Sequence, residues 1–218
     1  MLSKRLKTVA DLVTPCDKVA DVGTDHGYVP IYLVKENIAR FCYAMDVNEG
    51  PLTIAKSNIA SEGLEDKIET LLSDGFDSFG DREADTVIIA GMGGDLIVDI
   101  LTRAKSYEFK ELILSPHKRV DLVRKYLMEG GYEIIDEIMI EDAEKYYPVI
   151  KACKGEANYS DVELEFGPKL LSNKDETLKA FLDKEYDKFS KIKDSLKEDN
   201  ADVDEKLKII KEGLNYYV

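Results

Sequence analysis

Long apolar runs are missing from this sequence, and cysteine and histidine are scarce. No run approaches the ~20 residues that a membrane-spanning helix needs, and the start, Met1-Leu-Ser-Lys-Arg5, lacks the apolar region of a signal peptide. We therefore expect a cytoplasmic protein with no membrane partner. The three cysteines, Cys16, Cys42 and Cys153, form no CxxC pair, and no histidine cluster accompanies them. This spacing indicates neither a disulfide framework nor a zinc site, so we expect no metal.

A surplus of positive charge is missing as well. The 218 residues include 30 lysines and arginines against 44 aspartates and glutamates, which gives a formal net charge of -14. Such a balance argues against a broadly basic surface for nucleic acid, so any contact with RNA must be local. The length is sufficient for one well-buried domain with a smaller unit beside it.

A glycine turn occupies residues 19–27, Val-Ala-Asp-Val-Gly-Thr-Asp-His-Gly, between a predicted strand and a predicted helix. A dinucleotide fingerprint would place a second glycine at position 25, where Asp25 would repel a pyrophosphate. S-adenosylmethionine (SAM) has no phosphate and carries an ammonium and a sulfonium, so an acidic turn suits it. The alternative is an ordinary strand-to-helix turn. The cofactor contacts predicted in this turn are Asp21, Gly23, Thr24, Asp25, His26 and Gly27.

Acidic residues follow the next two predicted strands. Asp46 ends the strand at 41–46, about 20 to 25 residues after the glycine turn, where a carboxylate can accept from both ribose hydroxyls; Val47 follows it. The third strand, 68–72, is closed by Ser73, Asp74 and Gly75, and Asp74 is placed to accept from an adenine amino group. The alternative for Asp74 is a simple Asp-Gly turn.

The remaining pattern predicts an α/β fold. A fourth strand at 84–90 runs into Gly91-Met-Gly-Gly94, where the glycines indicate a close approach of the backbone to a ligand. A fifth strand at 111–115 precedes a helix at 120–129. The alternation of strands and helices then stops at two β-rich runs, 132–140 and 146–153, which should pair antiparallel. This is the Rossmann-like seven-stranded pattern of class I SAM-dependent methyltransferases. Further predicted cofactor contacts in this part are Ala90, Gly91, Met92 and Gly93.

The C-terminal part has a different composition, with long charged segments whose apolar residues follow helical spacing. One stripe comprises Leu178, Leu182, Phe189, Ile192 and Leu196, and the other comprises Val203, Leu207, Ile210, Leu214 and Tyr217. Their steps of three and four predict an antiparallel coiled-coil hairpin with a polar turn at 197–202. We therefore expect a methyltransferase domain at 1–157 and a helical coiled-coil domain at 158–218. The stripe serves internal packing or, alternatively, a partner.

Several motifs together resemble the bacterial tRNA (adenine-22-N1)-methyltransferase family. The resemblance covers nearly the whole chain, and its specific parts are the Asp25-His26 pair and the Ala90-Gly-Met-Gly-Gly94 segment. One departure is Ser115-Pro116-His117, where the family more often has Gln-Pro-Asn. The motifs that carry the resemblance are Leu2-Ser-Lys-Arg-Leu6, the glycine turn with Tyr28-Val-Pro30, Ile88-Ile-Ala-Gly-Met-Gly-Gly94, Tyr146-Tyr147 and Phe166-Gly-Pro-Lys-Leu-Leu171.

The resemblance implies methyl transfer from SAM to N1 of an adenine in tRNA. N1 already has a free lone pair, so alignment matters more than proton removal. The ring becomes cationic, and Asp25 is the candidate that stabilises this charge, with His26 orienting Asp25 or contacting the substrate. The alternative is that both residues serve only SAM and the turn. Backbone carbonyls of Ala90 or Gly91 are candidate acceptors for the adenine amino group.

The implied partner is tRNA, contacted by a monomer with a local basic patch. An extruded base needs an aromatic platform, for which Tyr28 and Tyr147 are candidates, although each is also a plausible core residue. Basic residues cluster at Lys4, Arg5 and Lys7 and again at Lys118, Arg119, Arg124 and Lys125. The helical hairpin would add reach toward tRNA. Alternatives are a methyltransferase for another RNA site or a small molecule, and a non-catalytic nucleotide-sensing module that binds a protein partner.

Overall fold

The computed structural model describes residues 2–143, 145–196, 198 and 200–218. Its strands are β1 (Cys16–Val22), β2 (Ala39–Asp46), β3 (Ile68–Leu72), β4 (Thr86–Ala90), β5 (Glu111–Ser115), β6 (Tyr132–Asp142) and β7 (Lys145–Lys154). Its α-helices are α1 (Lys4–Asp11), α2 (Tyr28–Lys35), α3 (Glu49–Ser61), α4 (Gly94–Arg103), α5 (Val120–Glu129), α6 (Asp161–Phe166), α7 (Pro168–Ser172), α8 (Glu176–Ser195) and α9 (Ala201–Leu214), and a 3-10 turn follows at Asn215–Tyr217.

All seven strands join one sheet in the order β3-β2-β1-β4-β5-β7-β6. Strands β1 to β5 run parallel: helices α2, α3 and α4 return the chain after β1, β2 and β4, and the turns of residues 73–85 connect β3 to β4. Strand β7 pairs antiparallel with both β5 and β6. The carboxyl ends of β1, β2, β3, β4 and β5 therefore meet at one edge of the sheet, which we call the carboxyl edge. The predicted seven-stranded α/β fold is confirmed.

The sheet is covered on both faces, as the continuously apolar strands predict. Ile88 belongs to the apolar cluster beneath α1, α2 and α3, and its neighbour Ile89 belongs to the cluster beneath α4 and α5. Adjacent residues point to opposite faces of a strand, so one short apolar run supplies both cores. None of the helices in the described part of the chain is long and apolar enough to cross a membrane.

Helix starts differ from the predicted positions by a few residues. The fixed φ of proline predicts helix starts at Pro30 and Pro51 in this sequence, but α2 begins at Tyr28 and α3 begins at Glu49, each two residues earlier. Proline is tolerated there because the first-turn N–H groups of a helix have no intrahelical partner. The sequence likewise predicts a helix from Leu96, whereas α4 begins two residues earlier, at Gly94.

The C-terminal helices pack as a hairpin beside β6. Leu178 and Leu182 of α8 and Ile210 of α9 are fully buried and share a cluster with Phe166 of α6. The outer part of the predicted coiled-coil seam is different: Ile192 and Leu196 are exposed, and Leu196 already has an extended backbone. The predicted apolar seam is therefore buried only at the base of the hairpin. The predicted polar turn at 197–202 includes Lys197 and Asp199, and the predicted acidic link at 141–145 includes Glu144; these three residues, like Met1, lie outside the described residues.

Candidate active site

The glycine turn lies at the carboxyl edge, directly after β1. The N–H groups of Gly23 and Thr24 both donate to the carbonyl of Met45 in β2, at 2.8 and 2.9 Å. Gly23, Asp25 and Gly27 have φ angles of 76°, 55° and 73°. These left-handed values make the turn sharp and suit glycine at two of the three positions. Asp25 adopts the third left-handed φ angle at some cost in backbone strain, and such strain is a feature of turns at functional sites.

Asp21 is a buried carboxylate that faces no cation. Its side chain is 4% exposed, and its Oδ2 accepts a hydrogen bond from Thr24 Oγ1 at 2.7 Å. Burial, together with the nearby charge of Asp46, raises the pKa of Asp21 to about 7, although the Thr24 bond opposes the rise. Asp21 forms no salt bridge within the described ranges. A buried carboxyl group of this kind is a strong site for a cationic ligand.

Asp46 ends β2 next to the glycine turn. The residue is 9% exposed, and its Oδ1 accepts from the backbone N–H of Asn48 at 2.9 Å and from the Asn48 side chain at 3.4 Å. In the described part of the chain, Oδ2 has no hydrogen-bond partner. Val47, next in the chain, has 59% of its surface exposed. The pair presents a carboxylate oxygen and an apolar side chain at the carboxyl edge.

Asp74 lies at the predicted place but is already engaged. Arg103 contacts its Oδ1 at 2.9 Å and its backbone carbonyl at 3.3 Å, and also reaches Asp77 at 2.7 Å. Gly75 has a φ of 55°, and a Cβ there would lie 3.1 Å from Ile100. This geometry is that of an Asp-Gly turn stabilised by an arginine, and the contact of Asp74 with an adenine amino group stays a prediction.

Close packing explains Gly94 after β4 and Gly23 in the glycine turn. A Cβ on Gly94 would lie 2.2 Å from the carbonyl oxygen of Arg119, and one on Gly23 would lie 2.3 Å from Met92 Cε. Met92 therefore lies across the glycine turn, while its carbonyl accepts from the N–H of His117 at 2.9 Å. The loop after β4 thus joins the loops after β1 and β5. The contact between Met92 and Gly23 was not expected from the sequence.

Asp25 and His26 stand on the solvent side of the turn. His26 Nε2 lies 3.5 Å from Asp25 Oδ1, and the Asp25 side chain is 69% exposed. His26 Nδ1 is buried and has no hydrogen-bond partner in the described part. The rings of His26 and Tyr28 meet edge to face at 5.6 Å between centroids. Tyr28 is 48% exposed, so its ring is accessible to a ligand.

A second cluster of side chains lies beside the loop that follows β4. A Cβ on Gly91 would lie 3.6 Å from Arg5 Nη1 and 3.9 Å from His117 Cε1. The Arg5 guanidinium lies over the Tyr147 ring at 5.7 Å, and the His117 ring meets Tyr147 at 5.3 Å. Desolvation and the positive charges of Arg5 and Lys145 lower the pKa of His117. His117 received no role from the sequence, although its position directly after β5 placed it at the carboxyl edge.

The predicted basic patch is only partly present. Arg124 is wrong as a member, because it is 1% exposed and forms a buried ion pair with Glu137 at 2.8 Å. Lys7 is exposed but bound to Asp11 at 2.6 Å. Arg119 lies 3.6 Å from both Asp95 and Asp121.

Lys118 is exposed, and its carbon chain passes beside Gly93. Among the predicted tRNA contacts, Arg5 and Lys118 have no carboxylate partner in the described part of the chain, and Arg119 has only the two 3.6 Å contacts, so these three remain candidates for contact with an anion. No group of three or more histidine, cysteine, aspartate or glutamate side chains is placed to hold a metal ion in the described part of the chain.

Two comparisons show which proteins this chain is similar to. A family model described as TrmK, tRNA (adenine(22)-N(1))-methyltransferase, matches residues 19–215. A Bacillus subtilis tRNA (adenine(22)-N(1))-methyltransferase is 38% identical over 170 residues, which are 76% of this chain and 71% of the relative.

Solved structures agree with this match. One is M. capricolum TrmK in complex with S-adenosyl-homocysteine, at a TM-score of 0.90 and 31% identity, with 99% of each chain covered. Another, from Streptococcus pneumoniae, is a protein assigned as a tRNA (m1A22) methyltransferase, in complex with S-adenosyl-L-methionine. It has a TM-score of 0.91 at 33% identity, with 98% of this chain and 100% of that chain covered.

Proposed function

This chain belongs to the tRNA (adenine(22)-N(1))-methyltransferase family, and we propose that its carboxyl edge carries out the transfer of a methyl group from SAM to N1 of adenine 22 in tRNA. The observation that supports this use of the edge is the pair Asp21 and Asp46. Both carboxylates are buried at the ends of neighbouring strands, and neither has a cationic partner within the described residues. A cationic nucleoside that carries hydroxyl groups fits such a pair.

The cofactor would lie across the ends of β1, β2 and β4. Asp46 accepts from the ribose hydroxyls, since its Oδ2 is unused, and Asp21 balances the cationic methionine arm. Met92 packs over Gly23 and would lie beside the same arm. The other proposed contacts are Thr24, Asp25, His26, Gly27, Val47, Asp74, Gly75, Ala90, Gly91 and Gly93.

The bound cofactor supplies a methyl group on a sulfonium, and the chain supplies alignment and charge. Adenine N1 needs no general base, because its lone pair is free at neutral pH. The carbonyls of Ala90 and Gly91 would accept from the adenine amino group and so aim N1 at the methyl carbon. Asp25, oriented by His26, would stabilise the positive charge that develops on the ring.

tRNA would approach the carboxyl edge between α1 and the C-terminal hairpin. Tyr28 or Tyr147 would stack on the extruded base, and Arg5, Lys118 and Arg119 would contact the backbone, whereas Lys7 is less available because Asp11 holds it. We further propose a catalytic domain at 1–157, a helical domain at 158–218 that reaches toward the tRNA, and a cytoplasmic monomer.

The test is incubation of an unmodified tRNA transcript with the protein and isotopically labelled SAM. Mass spectrometry of the digested nucleosides should show labelled 1-methyladenosine. A transcript with guanine at position 22 should show none. Label at another nucleoside would favour a different RNA site, and binding of SAM without any transfer to tRNA would favour a small-molecule substrate or a nucleotide-sensing module.

A further inference from the structure

Arg5 differs from every other arginine in the chain. The sequence contains six arginines, and five of them form salt bridges to carboxylates: Arg40, Arg82, Arg103, Arg119 and Arg124. Within the part of the chain that the structure describes, Arg5 forms none, and its Nη1 is buried without a hydrogen-bond partner. In a protein with a net charge of -14, carboxylates are plentiful. A buried, unpaired guanidinium N–H is costly unless a ligand satisfies it.

The position of Arg5 indicates where that ligand lies. The guanidinium lies over the Tyr147 ring, and its Nη1 would be 3.6 Å from a Cβ on Gly91, with His117 Cε1 at 3.9 Å from the same point. Gly91 directly follows β4 and belongs to the loop that also carries Met92 across the glycine turn. Arg5 and His117 therefore lie beside the loop that we propose contacts the cofactor.

A phosphate suits the Arg5 guanidinium better than the adenine ring does. The ring gains positive charge as the methyl group arrives, so a guanidinium against the ring would oppose the reaction. The phosphate of the same nucleotide is an anion that needs several N–H donors, and arginine supplies them in a fixed fork. Because its pKa is lowered, His117 remains neutral near pH 7 and is able to bond a sugar hydroxyl.

We propose that Arg5 binds one phosphate that flanks the target adenosine, with Tyr147 supporting the guanidinium and His117 beside the sugar. This inference rests on the proposed function, because it takes the target nucleotide of tRNA as the ligand. It makes Arg5 a positioning residue that fixes the extruded nucleotide by its backbone and leaves the base free to align.

A double-mutant cycle between protein and RNA tests this. Synthetic tRNA is made with a neutral methylphosphonate at the phosphate 5′ or 3′ of the target adenosine. Binding and kcat/KM are then measured for the wild type and for Arg5→Gln. Arg5→Gln alone, or the methylphosphonate at the contacted phosphate alone, should weaken both binding and kcat/KM about tenfold, as expected for a lost charged hydrogen bond. At one of the two phosphates, the combined change should cost no more than either alone.

Arg40→Gln is the matched control, since it removes the same charge from an exposed side chain at the opposite edge of the sheet. Its effect should add to that of either methylphosphonate. Additive losses for Arg5→Gln at both phosphates would overturn the assignment, and so would unchanged binding by Arg5→Gln. Absence of methyl transfer by the wild type would instead contradict the proposed function, while the binding cycle would still report on Arg5.

Discussion

Arg124 Nε and Glu137 Oε1 form an ion pair of 2.8 Å whose two side chains are 1% and 0% exposed. Arg124 also donates to the carbonyls of Leu164 and Glu165, and Glu137 accepts from the N–H of Lys169. The pair therefore ties α5 and β6 to the start of the helical region. Gly167 lies against both side chains, with no room for a Cβ.

Removing one member of this pair should destabilise the protein strongly. Glu137→Gln leaves a buried guanidinium without its counter-charge, so we expect a loss of about 3 to 5 kcal/mol in the free energy of unfolding. Urea denaturation measures it, and Glu129→Gln, which loses only the exposed pair with Lys125, should change stability by less than about 0.5 kcal/mol. A similarly small effect of Glu137→Gln would show that the pair does not hold the two regions together.

Asp46→Ala should weaken SAM binding by about 1 to 3 kcal/mol, because a charged acceptor for the ribose hydroxyls is lost. Isothermal titration gives the affinity. Asp17→Ala is the control, since Asp17 is an exposed aspartate paired with Arg40 at the opposite edge. Equal affinities for the Asp46 variant and the wild type would exclude Asp46 from the cofactor site.

SAM affinity should depend on pH through Asp21. The pKa of this carboxyl group rises from its ordinary value of 3.8 to about 7 in the folded protein, so the group holds a proton below pH 7. A cationic ligand favours the ionised form, and affinity should therefore fall by up to about tenfold per pH unit below 7 and level off above 8. In the free protein, the protonated carboxyl group stabilises the fold at low pH, and this contribution is lost as pH rises from about 4 through 7.

Asp21→Asn should remove this pH dependence and bind SAM more weakly at pH 8. Titrations in buffers of different ionisation enthalpy would detect the released proton near pH 6.5. Wild-type affinity that is flat between pH 5.5 and 8 would separate Asp21 from the charge of the cofactor.

Asp25→Asn should lower kcat by about tenfold while SAM affinity stays nearly unchanged, since the lost charge acts on the developing adeninium. The effect is modest because the Asp25 side chain is 69% exposed and solvent screens its charge. Asparagine also tolerates the left-handed φ of 55°, so the turn is retained. Parallel losses in kcat and affinity would reassign Asp25 to cofactor binding.

Lys118→Gln should weaken tRNA binding and reduce the slope of log K against log salt by about one. Lys7→Gln should change neither, because Asp11 and Tyr32 already hold the Lys7 ammonium. A filter-binding series over salt concentration compares the two variants. If Lys7→Gln has the larger effect, tRNA crosses α1 on the side of α2 instead.

The sequence predicted the sheet well because the strands have local signatures. β3 and β5 begin and end at the predicted residues, and Asp46 lies at the end of its strand as expected. Burial that depends on distant partners was not predictable. Arg124 has an ordinary amphipathic setting in the sequence, and only the fold brings Glu137, 13 positions later, against it.

The sequence also did not predict which residues from distant segments lie together. Arg5 belongs to α1, His117 to the loop after β5, and Tyr147 to β7. No spacing rule in the sequence connects these three residues. The outer hairpin shows the opposite error, since helical periodicity placed Ile192 in a seam although the residue is exposed. A repeat in the sequence specifies which residues share a helix face, and it does not specify what covers that face.

The most direct test of the account is methylation of a tRNA with 1-deazaadenosine at position 22. This analogue keeps the shape and amino group of adenine but has a C–H in place of N1. The account predicts full methylation of tRNA with adenosine or 7-deazaadenosine at position 22 and none with 1-deazaadenosine. Methyl transfer to the 1-deaza substrate at a rate comparable to that of adenosine would contradict it.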